Sequence, residues 1–98
     1  MWHYTFRWLY FIIKLVIEMN QETLNRIIGS NIKKYRKLYN KNGVKMTQEK
    51  LAEAIDVSTS LISCLESNKI IKGISINNLY KISIVLEVPI DRFFEEKN

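Results

Sequence analysis

Eight basic side chains fall between residues 26 and 50: Arg26, Lys33, Lys34, Arg36, Lys37, Lys41, Lys45 and Lys50. A single acid, Glu49, stands among them. The formal net charge of +5 understates this bias, because acids gather near the end of the chain at Glu87, Asp91, Glu95 and Glu96. The chemistry on offer is electrostatic. Such a stretch attracts a polyanion, or it is the solvated face of a lysine-rich helix. Charge alone leaves both readings open.

Catalytic and metal chemistry have less to draw on. His3 is the only histidine and Cys64 the only cysteine, and neither a C-x-x-C pair nor a Gly-rich phosphate loop is present. A zinc site, a His-based triad and an intrachain disulfide are therefore not expected, and a lone thiol suits a reducing cytoplasm. Glu49, Glu53 and Asp56 lie close in sequence but read as solvated or capping residues. No catalytic residue, metal or cofactor is expected, and the chain does not read as an enzyme.

The elements that would position the basic residues follow from apolar spacing. The 98 residues suffice for one small domain, and 47% hydrophobic content allows a core of modest stability. With 3 Gly and 1 Pro, the chain is predicted to be all-α. Leu24, Ile27, Ile28, Ile32, Tyr35, Leu38 and Tyr39 recur at three and four, which predicts a helix over 23–40. Asn42 and Gly43 supply a stop, and 44–46 is a short link. Thr47 caps a helix over 48–55, and Ser58 caps another over 59–67. Residues 68–74 form a loop. Ser75 caps a fourth helix to about residue 86, with Ile76, Leu79, Ile82, Ser83 and Leu86 inward. Pro89 opens a short fifth helix that ends at Phe93 and Phe94.

Residues 1–18 differ in style, being dense in Trp, Tyr, Phe, Ile and Leu. Arg7 and Lys14 interrupt them, so the stretch falls short of the roughly 20 apolar residues of a spanning helix. Three readings stay open: a helix that docks on the domain or on a second copy, a membrane-touching segment, or a stretch added by a start codon placed upstream of Met19. The expected division is an apolar extension over 1–18 and one domain over 19–98.

The stretch TQEKLAEAIDVSTSLISCLESNK sharpens the reading. Counting from Gln48, apolar residues take the fourth, eighth, tenth, fifteenth and eighteenth places, and the small Ala52 takes the fifth. A small residue there lets two helices cross closely. This is how a helix-turn-helix is built, one helix bracing a second whose N-terminal half projects. From about residue 28 to 94 the chain resembles the phage-repressor and Cro-type, or Xre, family, carried by that stretch and by SINNLYKISIVLEVPIDRFF. The resemblance implies an all-α, five-helix repressor-like domain, here with an extra apolar N-terminal segment.

The resemblance also implies roles. Thr59, Ser60, Ser63 and Cys64 match positions that face base edges in the major groove. Gln48, Lys50, Asn68, Lys69 and Lys72 would meet phosphates. Arg36 and Glu66 match an ion pair that fixes the third helix against the first. The structural alternatives are that Thr59 and Ser60 only complete a cap, and that Cys64 is a small buried hydrophobe. Two departures stand out. Asp56 occupies the turn where the family usually has Gly, and KLYNKNGVKM is longer than usual. The latter would extend the first helix by a turn and carry Lys37, Lys41 and Lys45 toward the DNA backbone.

The expected function is sequence-specific binding of double-stranded DNA by a cytoplasmic repressor. The expected partners are DNA and a second copy, a homodimer held through Ile90, Phe93 and Phe94. The alternatives are an antitoxin-type partner of a toxin, and a protein-interaction or membrane-tethered module. A membrane partner is not expected.

Overall fold

The computed structural model describes residues 2–67 and 72–96, with side chains over 7–17, 20–67 and 72–96. α1 (Trp2–Leu38) is followed by strands β1 (Asn40–Lys41) and β2 (Val44–Lys45), then by α2 (Gln48–Ala54), α3 (Thr59–Glu66), α4 (Ile76–Leu86) and a 3-10 turn (Ile90–Phe94). The architecture is the expected all-α one, its last helix wound as 3-10. Thr47, Ser58 and Ser75 each accept a hydrogen bond from the backbone N–H three residues on, all at 3.1 Å. Each cap satisfies one donor that a helix start leaves open.

α1 is far longer than the 23–40 expected from apolar spacing. It runs unbroken for 37 residues, including the 18–19 junction, and ends two residues earlier than predicted. At 1.5 Å per residue it is about 55 Å long, which explains a molecule of 65 × 25 × 23 Å. Leu24 and Leu38, read as inward, are exposed. Every apolar side chain from Trp8 to Ile17 is exposed too. No helix among the described residues is long and apolar enough to cross a membrane.

The segment KLYNKNGVKM does not lengthen α1. It makes a two-stranded hairpin that pairs Asn40 with Lys45 and Lys41 with Val44. Asn42 (φ 54°) and Gly43 (φ 78°) are both left-handed. Asn-Gly is the pair that tolerates this best, and such a turn matches the twist of a tight hairpin. The expectation of a plain link is corrected accordingly.

The core joins all the helices. Ile28 and Ile32 of α1 meet Leu51, Ala52 and Ile55, then Ile62, Leu65, Leu79, Ile82, Leu86 and Phe93. Two expectations fail here. Ile76 is 79% exposed, because it opens α4 before that helix turns onto the core. Phe93 is fully buried, so it serves the core and not a dimer contact. Its ring meets Tyr35 edge-on at 5.4 Å. Asn31, itself buried, donates to the carbonyls of Phe93 and Glu95, both at 2.8 Å. The chain's end is thus tied to α1 by two bonds from one amide.

Gly29 sets how closely α1 meets α3. A Cβ there would overlap the Leu65 carbonyl oxygen, which is backbone and cannot swing away. Helix propensity alone favours Ala over Gly by about 1 kcal/mol. The overlap opposes it, since forcing atoms into a packed contact costs about 1–3 kcal/mol. Gly29→Ala should therefore lower stability in urea unfolding; a gain would show that the crossing relaxes freely.

Candidate nucleic-acid interface

α2 and α3 form one bent unit. The bend is held by backbone bonds from Asp56 N to Glu53 O (3.3 Å) and Val57 N to Ala52 O (3.0 Å). This pairing closes the end of α2 and requires a left-handed residue at the bend. Asp56 has φ 59° and meets that requirement without being glycine. Ser58 then restarts the chain as α3.

α3 divides cleanly. Ile62 and Leu65 enter the core, and Glu66 is buried with them. Ser60 and Ser63 are exposed, and Thr59 and Cys64 are half-buried beside them. Positions 59, 60, 63 and 64 lie on one helical face. Four short side chains there leave the backbone close to whatever lies against it.

Glu66 anchors that face to α1. Arg36 donates to it twice, from Nε at 2.7 Å and from Nη2 at 2.8 Å. The side chains are 11% and 2% exposed, so the pair is shielded from water. Arg36 Nη1 also donates to the Met46 carbonyl at 3.0 Å, and Gln48 Nε2 donates to Glu66 at 3.1 Å. Every charge therefore has several partners, as burial demands. The Arg36 guanidinium pKa is held above its ordinary value, chiefly by the hydrogen bonds it donates to Glu66, with burial pulling the other way.

Beside the pair lies a hollow of about 430 Å³ lined by Arg36, Lys37, Lys45, Met46, Thr47, Gln48 and Glu49. The hairpin brings Lys45 to Lys37 and to the start of α2. Both lysines were expected to reach the DNA backbone on a lengthened first helix; the hairpin, hinted at only by the Asn-Gly pair, brings them together instead. Lys41 goes elsewhere. It bonds Glu87 at 2.9 Å across the surface, and its ammonium pKa is raised by that contact. Of the expected phosphate residues, Gln48 is half-buried at the hollow, while Lys50 and Lys72 are exposed. Lys50 Nζ donates to the Lys45 carbonyl at 3.2 Å. Asn68 and Lys69 lie outside the described residues.

A helix held out by a short brace, with a polar outer face and basic flanks, defines a helix-turn-helix DNA-binding domain. The family model for helix-turn-helix proteins matches residues 32–93. The chain belongs to the Cro/C1-type helix-turn-helix family, a family of DNA-binding regulators and not of enzymes. No curated protein matches the chain. The match begins inside α1 and leaves that helix's apolar first half outside it.

Two substitutions probe the geometry. Asp56→Gly should raise stability by about 0.5–1 kcal/mol, because Gly adopts the left-handed turn without steric cost; thermal unfolding reads it. Glu66→Ala should cost about 3–5 kcal/mol by stranding Arg36. Arg36→Met with Glu66→Leu should recover most of that loss, and a double-mutant cycle in urea measures the coupling.

Proposed function

We propose that the protein binds particular double-stranded DNA sites as a dimer and represses transcription there. The observation that carries this reading is the outer face of α3: short polar side chains, turned away from the core, on a helix clamped by the Arg36–Glu66 pair. A helix meant only for packing would carry apolar residues there. Thr59, Ser60, Ser63 and Cys64 are the residues assigned to base edges. Gln48, Lys50 and Lys72 are assigned to phosphates, together with Asn68 and Lys69, and the hollow adds Lys37 and Lys45.

The base-reading chemistry is spare. Ser and Thr hydroxyls donate or accept, so they discriminate weakly, and the Thr methyl can touch a thymine methyl. No Arg, Asn or Gln stands among those four for a bidentate pair. Selectivity then draws partly on DNA shape and deformability. Phosphate contacts supply most of the affinity and its salt dependence.

A second reading has its own observation. The exposed apolar side chains of residues 8–17 form a surface that a DNA-binding domain does not need. They suit a protein-interaction or membrane-tethering module. An antitoxin role is the related variant, in which a toxin partner covers part of the protein.

The test is a titration of the full chain and of a chain beginning at Met19. Each meets duplex DNA from the gene's own upstream region and a scrambled duplex, over a salt series. With about five phosphates neutralised, log affinity should fall with log salt at a slope of about −4 to −5. Preference for the upstream duplex should persist as salt rises. Ser63→Ala should narrow that preference, while Lys45→Ala should weaken both duplexes alike and reduce the slope by about 1. Equal affinity for the two duplexes at every salt would remove the operator reading.

A further inference from the structure

The exposed stretch of α1 is not apolar all round. Arg7 and Lys14 are exposed, stand seven residues apart and share one side of the helix. Ile32 follows Lys14 by 18 residues, about five turns, so the cationic side is the one that meets the core further along. Trp8, Leu9, Ile12, Ile13, Leu15 and Val16 lie about 100° or more around the helix from Lys14. They are exposed on the side turned away from the core. Single apolar residues on a surface need no explanation, but a broad continuous arc is a contact surface.

Further along, that outer side turns basic. Arg26, Lys33 and Lys34 follow Trp8, Leu15 and Val16 by the same 18 residues, so they stand in line with them. All three are exposed. Glu18 and Glu22 are the only acids of α1. Glu22 pairs with Arg26 at 3.3 Å, so Lys33 and Lys34 carry most of this side's charge. The elements after α1 pack on its other side, through Ile28 and Ile32. One side of one helix thus reads apolar, then basic. A partner helix or groove covers a single stripe, whereas lipid covers a broad arc. A second copy laid alongside would set basic half against basic half, or against the apolar half. DNA would take the basic half and leave the apolar half in water. An anionic lipid surface suits both halves, with Trp8 and Tyr10 at the depth that such side chains favour.

We propose that α1 lies along an anionic lipid bilayer, with residues 8–17 sunk among the headgroups and Lys33 and Lys34 resting on their charge. This rests on the second reading above and names its partner. The expectation of no membrane partner followed from the lack of a spanning stretch; a helix that lies on the surface needs none. Lys33 and Lys34 are not among the residues assigned to phosphates of DNA, so the two polyanions meet different residues.

Trp2 and Trp8 are the chain's only tryptophans, so its tryptophan fluorescence reads this segment alone. The full chain is titrated with vesicles of phosphatidylcholine, and with vesicles of phosphatidylcholine mixed with phosphatidylserine. The expected result is a blue shift on the mixed vesicles, quenched by lipids brominated in their acyl chains. Each basic residue resting on such a surface is worth about fivefold in binding. Lys33→Gln should therefore weaken binding to the mixed vesicles about fivefold, and Lys33→Gln with Lys34→Gln about 25-fold, with no change on phosphatidylcholine alone. Lys81→Gln removes the same charge from α4 and should change binding by less than about twofold. All three sites are exposed, and circular dichroism checks that each variant folds. No shift on the mixed vesicles, or equal weakening by Lys33→Gln and Lys81→Gln, overturns the proposal. A blue shift that grows with protein concentration before lipid is added also overturns it, because a second copy then covers the apolar side; that result keeps the second reading and changes its partner. The DNA titration does not read this side of α1, so the operator reading stands or falls apart from it.

Discussion

A buried ion pair holds this protein's working parts in register. Arg36 belongs to the long first helix, and Glu66 ends the helix that projects. Between them the pair also gathers Met46 and Gln48, on the approach to α2 and at its first turn. Three helices are thus referenced to one carboxylate. Burial raises the stakes of this arrangement, because either charge left alone would be costly. It also fixes orientation, since two parallel N–H bonds from a planar guanidinium allow little rotation. The outer face of α3 inherits that rigidity.

The close approach that makes the pair geometrically reachable comes from small residues. Ala52 allows α2 and α3 to cross closely, and Gly29 lets α1 rest on the backbone at the end of α3. Asn31, five residues before Arg36, performs the complementary task for the end of the chain. It ties the final turn to α1 and seats Phe93 against Tyr35. The core therefore closes around the last turns of α1, with the ionic clamp at Arg36 and the amide clamp at Asn31. A domain this small has little apolar burial to spare, so such directional contacts matter more than in a large core.

Charge and apolar surface are distributed unevenly around this frame. Lys37 and Lys45 converge on the start of α2, while Lys41 is drawn away to Glu87. The hairpin is responsible, because it reverses the chain after two residues of each strand. Among the described residues, exposed apolar side chains gather over residues 8–17 of α1 and along the outer side of α4, with Leu24, Leu38, Val44, Ile90 and Phe94 exposed elsewhere. The first is broad and wraps much of its helix. The second is a narrow line of three residues, Ile76, Tyr80 and Ile84.

Local signals in the sequence were enough to specify much of the fold. Hydroxyl caps at Thr47, Ser58 and Ser75, the apolar spacing across the bend, and the left-handed tolerance of Asp56 are properties of short segments. They mark where α2, α3 and α4 begin and where the unit turns. The side chains exposed on α3 were legible for the same reason, since a helix's period fixes which residues share a face. Tertiary structure decided the rest. That Phe93 is core and Ile76 is not depends on where each helix meets its neighbours, which apolar character alone does not say. The roles of Gly29 and Asn31 appear only when a carbonyl 36 or 62 residues away arrives beside them. The length of α1 was hidden because its described side chains over 7–17 are all exposed and present no inward face for a period to reveal. Sequence by itself determined the local geometry of the reading unit; long-range packing determined which charges gather beside it, because a lysine's place is set by the chain's return path and not by its neighbours in sequence.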